Sequence, residues 1–86
     1  MQTELSALRQ AAIDAVRRTP AGKQVADIVL EAGRDNEGSE FLRVLVQVKT
    51  LDKAKEAEIE ELMNSIEGAV SALDERFPSV RFADAA

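Results

Sequence analysis

The chain contains no cysteine, histidine, tryptophan or tyrosine, and its only aromatic residues are three phenylalanines. Each absence removes a class of chemistry. Without cysteine there is neither a disulfide framework nor a thiolate nucleophile. Without histidine the usual zinc ligands and the physiological proton shuttle are missing. Ser6, Ser39, Ser65, Ser71 and Ser79 therefore have no imidazole to activate them, and carboxylate pairs on an exposed helix lack the closed pocket that shifts a pKa. Few aromatics and a net charge of −5 also argue against nucleic acid, whose binding rests on cationic side chains and base stacking. No apolar run approaches the ~20 residues that cross a bilayer. Glu4, Arg9 and Asp14 interrupt any signal-like segment, so the expected location is cytoplasmic. These absences predict a protein that is not an enzyme and uses no metal or cofactor.

What remains is a globular composition in 86 residues, 45% hydrophobic and 31% charged. That is one small domain, whose limited core makes a lone subunit marginal. Its charge is unevenly placed. Residues 1–50 carry seven acidic and seven basic side chains, whereas residues 51–86 carry nine acidic against four basic.

Hydrophobic periodicity predicts five elements. A helix is expected over 3–18, where Leu5, Leu8, Ala12 and Val16 recur at spacings of three and four and Thr3 can cap the start. Thr19-Pro20-Ala21-Gly22 ends it. A strand follows over 24–32, with Ala26, Ile28, Leu30 and Ala32 on one face and Val25, Asp27, Val29 and Glu31 on the other. Gly33 to Ser39 reads as a hairpin loop. The strand over 40–50 is the clearest, with Leu42, Val44, Val46 and Val48 on one face and Phe41, Arg43, Leu45, Gln47 and Lys49 on the other. A long helix is expected over 52–76, capped by Asp52, carrying Ile59, Leu62, Ile66 and Leu73 inward, and closed by Pro78. A last strand over 79–83 turns Val80 and Phe82 inward. The fold class is α+β: a two-layer α/β sandwich in α-β-β-α-β order, with a three-stranded mixed sheet and both helices on one face. The expected core is Ile28, Leu30, Val44, Val46, Ile59, Leu62, Ile66, Leu73, Val80 and Phe82.

One layer of helices covers one sheet face. The other should carry Val25, Val29, Phe41 and Leu45, more large apolar surface than a small monomer usually exposes. We expect this face to serve self-association, giving a homodimer. The alternative is that cross-strand pairing and the stems of Arg43 and Lys49 cover it.

A second candidate is the acidic cluster Glu56, Glu58, Glu60 and Glu61, with like charges stacked one turn apart. It would suit an antitoxin-like or regulatory subunit that binds a basic partner protein, or it is a solvated face that keeps the protein soluble. The Gly33–Gly38 spacing matches a P-loop, but no lysine follows Gly38 and no helix stands behind the loop. Asp35-Asn36-Glu37-Gly38 shares part of a calcium loop and lacks the distal ligands.

The element order, with Arg76-Phe77-Pro78-Ser79-Val80-Arg81-Phe82 leading from long helix to last strand, resembles the cytoplasmic C-terminal domain of cation diffusion facilitators. The resemblance implies a metallochaperone-like fold that dimerises. That family binds divalent metal there largely through histidine, which this chain lacks, so no metal residue carries over. The Asp35–Gly38 turn with Phe41-Leu42-Arg43-Val44 is also similar to small bacterial proteins, some of them companions of toxin-like partners.

Overall fold

A computed structural model describes residues 3–50 and 54–85. The chain runs through helix α1 (Leu5–Arg17), a 3-10 turn (Pro20–Gln24), strands β1 (Val25–Arg34) and β2 (Glu40–Val48), helix α2 (Glu56–Ser71) and strand β3 (Phe77–Asp84). β2 is central, antiparallel to β1 and parallel to β3. Both helices pack on one face, so the α+β two-layer sandwich and its mixed three-stranded sheet stand as the sequence predicted.

The core lies between helices and sheet. Leu42, Val44, Val46 and Val48 of β2 are all buried, each beside a partner that shares its face: Val46 beside Ile28 and Phe82, Val44 beside Leu30 and Val80. Leu8, Ala12 and Val16 of α1 and Leu62, Ile66 and Val70 of α2 close the layer above. Fully burying a side chain of this size contributes about 1.5–3 kcal/mol, which is how a short chain offsets the entropy of ordering it.

Several boundaries differ from the expected ones, each for a local reason. Thr3 does not cap α1. Glu4 holds the cap position without a side-chain bond, while the Thr3 hydroxyl donates to the Leu73 carbonyl and its N–H to Asp74 Oδ2 at 2.7 Å. Pro20 does more than end α1, because it opens the 3-10 turn. There the chain folds back so closely that a Cβ on Gly22 would lie 1.8 Å from the Val16 carbonyl oxygen. β1 continues through Arg34 because the hairpin is tighter than expected. The Asp35 N–H meets the Ser39 carbonyl at 3.0 Å, Asp35 Oδ1 accepts from the Glu37 and Ser39 N–H groups, and Gly38 takes a φ of 85°.

α2 is shorter than 52–76 at both ends. Asp52, the expected cap, lies outside the described residues. Lys55 takes the cap position, its N–H donating to Glu58 Oε1 at 3.1 Å. At the far end the helix stops at Ser71 with Ala72 as its cap, and the Asp74 N–H makes a last bond back to the Val70 carbonyl. The Asp74 carboxylate accepts the Arg76 N–H two residues on, which holds the chain in a turn. Leu73, expected in the core, is consequently 48% exposed on that turn. Pro78, expected to follow the helix as a stop, lies inside β3. The Ala85 N–H bonds to the Val48 carbonyl, so the odd-numbered residues of β3 face β2 and the even-numbered ones face the outer edge. The N–H that Pro78 lacks would have pointed away from the ladder, the position in a sheet where proline is tolerated.

Candidate functional site

The second sheet face carries four rows of three residues, one from each strand in the order β1, β2, β3. They are Gly33–Phe41–Phe77, Glu31–Arg43–Ser79, Val29–Leu45–Arg81 and Asp27–Gln47–Ala83. Neither helix covers them. Val29 is 40% exposed, Phe77 is 67% exposed, and Phe41 and Leu45 are half-buried by their neighbours in the sheet.

Of the four residues expected here, Val29, Phe41 and Leu45 lie together and Val25 does not. The register shifts between Val25 and Asp27, where Ala26 is an extra residue against β2. Such a bulge reverses the alternation. Val25 therefore sits beside Val48 and packs against the core from the helix side. Sequence alternation alone assumes an unbroken pleat, and no glycine marks this bulge.

Phe77 takes the place of Val25 in the apolar set. It fell between the expected end of the long helix and the expected start of the last strand. The adjacent Pro78 was the available signal, since proline is common at the first residue of a strand. Arg81 joins the same face.

The Phe41 ring leans sideways over Gly33, whose missing side chain makes the room. A Cβ on Gly33 would lie 2.8 Å from Phe41 Cζ. The Arg43 guanidinium lies 5.5 Å from the centre of that ring and 3.3 Å from Glu31 Oε1. Both Arg43 and Glu31 are more than half exposed, so the pair organises the face more than it stabilises it.

The outer backbone edges on either side are partly closed by side chains. On β1, the Ile28 N–H donates to Asp27 Oδ1 at 2.8 Å and its carbonyl accepts Arg9 Nε at 2.7 Å. Arg9 Nη2 also reaches Asp27 Oδ1 at 2.7 Å, and this bond, helped by the Ile28 N–H, holds the Asp27 carboxyl below its ordinary range. On β3, Pro78 offers no donor and Arg81 Nη1 lies 3.5 Å from the Val80 carbonyl oxygen. Natural sheets limit edge-to-edge pairing by such means.

The acidic cluster does not converge on a common point. Glu56, Glu60 and Glu61 are exposed on α2, while Glu58 is half-buried and engaged with the Lys55 N–H. Asp35 spends one carboxylate oxygen on its own hairpin. Among the described residues no group of three or more acidic side chains is placed to hold a metal ion. No described helix is long and apolar enough to cross a membrane.

The strongest electrostatic feature is structural and was not anticipated. The Asp74 and Arg76 side chains are 0% and 9% exposed. Asp74 accepts from the Arg76 N–H, Nε and Nη2 at 2.8–2.9 Å and from the Thr3 N–H, while Arg76 Nη2 also reaches the Thr3 carbonyl at 3.0 Å. The Arg76 hydrogen bonds outweigh desolvation and hold the Asp74 carboxyl well below the usual carboxylate range. This pair ties the segment before α1 to the α2–β3 junction.

Two solved structures share the architecture. A doubly substituted MamM CTD aligns with a TM-score of 0.57 and 17% identity, over 94% of this chain and 93% of that one. A singly substituted MamM aligns with a TM-score of 0.55 and 16% identity, over 98% and 88%. At this identity the likeness is one of fold, and it is the fold of the cation diffusion facilitator C-terminal domain. No family model and no curated protein matches the chain.

Proposed function

We propose that the chain is a non-catalytic interaction module that pairs with a second copy of itself through the uncovered sheet face. The observation that carries this reading is the apolar set Val29, Phe41, Leu45 and Phe77, which spans all three strands on the side away from both helices. Covering the exposed parts of Val29 and Phe77 is worth about 1–2 kcal/mol for each side chain. A two-fold interface uses the same patch on both subunits, so that gain counts twice. The polar row Glu31–Arg43–Ser79 crosses between the two apolar rows, with the Arg43 guanidinium lying against the Phe41 ring and paired with Glu31. The partly closed edges favour a contact through the face over added strands. The fold-level resemblance also implies a domain that dimerises and works in the cytoplasm.

Sedimentation of the wild-type chain and of Phe41→Asp, with far-UV circular dichroism as a folding control, tests the proposal. Association at micromolar to high-micromolar concentration, lost in a folded Phe41→Asp variant, is the expected result. A 9.4 kDa monomer at high-micromolar concentration, unchanged by the substitution, refutes it.

A further inference from the structure

Resting on that reading, we infer that the two-fold axis of the dimer runs along the β2 strand direction, so that β1 of each copy lies against β3 of the other. Two copies packed face to face must be related by an axis lying between the sheets. An axis across the strands sets β1 against β1 and β3 against β3. An axis along them exchanges the two.

Charge separates the cases. On this face β1 carries Asp27 and Glu31, while β3 carries Arg81 and no acid. An axis across the strands through the Val29–Leu45–Arg81 row would set Arg81 against its counterpart; it would also set Asp27 against the second copy's Glu31, though these two are already paired with Arg9 and Arg43 in their own subunits. Like charges juxtaposed in a desolvated interface disfavour that arrangement. An axis along the strands instead brings Arg81 of each copy opposite Val29, between Glu31 and Asp27. Arg43 falls near the axis and would face its own counterpart. It is already neutralised by Glu31 within its subunit and lies against the Phe41 ring.

Shape points the same way. Among the described residues Phe77 is the most exposed of the large apolar side chains, at one end of the row Gly33–Phe41–Phe77. Exchange of β1 and β3 brings Phe77 of one copy over Gly33 of the other, where the leaning Phe41 ring offers an aromatic surface. Two aromatic pairs then form, one on each side of the axis. Aligned sheet packing turns the strands by about 30°, which an axis near the strand direction accommodates.

The absence of native cysteine makes disulfide trapping unambiguous. Val29→Cys and Arg81→Cys lie in one row, opposite each other across this axis and each opposite itself across the other. Mixed one to one under mild oxidation, at a concentration that keeps the chain associated, they should form the Val29→Cys/Arg81→Cys heterodimer in large excess over either homodimer. Arg81→Ala should weaken association about tenfold at low salt and less at high salt, as loss of a charge complement does. Self-linked Val29→Cys and Arg81→Cys in a chain that still sediments as a dimer would overturn the axis and leave the face intact. A chain that stays monomeric and forms no cross-link would overturn both. Pairing along the β1 edge would also overturn both: Ala32→Cys would then link to itself, and Ala32→Pro would abolish the dimer while Phe41→Asp spared it.

Discussion

Replacing Asp74 with alanine should be among the most damaging single substitutions in the chain. It removes the acceptor of four hydrogen bonds, three from Arg76 and one from the Thr3 N–H. It also leaves a guanidinium with 9% side-chain exposure without the carboxylate it is bonded to, while Glu40 and Glu75 still act on its charge. Breaking a buried pair by removing one partner costs about 3–5 kcal/mol. A cleft of about 300 Å³ lined by Ala32, Gly33, Arg34, Glu40 and Arg76 brings solvent toward the arginine, which places the effect near the lower end, about 3 kcal/mol. Urea denaturation at one fixed protein concentration, followed by circular dichroism, measures it. With a slope near 1 kcal/mol/M for a domain this small, the midpoint should fall by about 3 M. The substitution also has a pH signature. The folded state lowers the Asp74 pKa, so its contribution is complete above the unfolded value of about 4 and is lost as pH falls below it. The wild type should lose stability through that window, and Asp74→Ala should lose correspondingly less. A cost under about 1 kcal/mol, with the same acid dependence in both proteins, would show that the pair is not the anchor described here.

Two further substitutions test the reading of the glycines, both by thermal or urea unfolding. Gly68 lies inside α2 with nothing within 4 Å of the position its Cβ would take, so Gly68→Ala should stabilise the protein by up to about 1 kcal/mol. Gly22→Ala would push a methyl group to 1.8 Å from a backbone carbonyl, which no rotamer relieves, and should cost about 3 kcal/mol or more. Equal effects at the two positions would contradict the packing at the end of α1.

The elements most legible in the sequence were those whose periodicity is uninterrupted. The β2 alternation from Phe41 to Val48 assigned both of its faces, and the α1 stripe placed Leu8, Ala12 and Val16 inward. Legibility failed where a local polar interaction overrides the pattern. Leu73 continues the helical spacing of α2, yet the helix ends at Ser71 and the bonds of Asp74 to Arg76 and Thr3 hold a turn on which Leu73 stays exposed. Val25 continues the alternation of β1, yet a bulge at Ala26 moves it to the opposite side. The candidate face was therefore read in outline and misassigned in detail. Val29, Phe41 and Leu45 followed from period two, whereas Phe77 depended on where a helix ended in three dimensions.

Fluorine NMR of the chain carrying fluorophenylalanine tests the uncovered face most directly. The three phenylalanines divide between the two sides of the sheet: Phe41 and Phe77 on the open face, Phe82 packed against the core beneath the helices. Dilution from millimolar to low-micromolar concentration should move the Phe41 and Phe77 resonances together along one dissociation curve and leave Phe82 in place. Movement of Phe82 instead, or three resonances indifferent to concentration, would contradict pairing through this face.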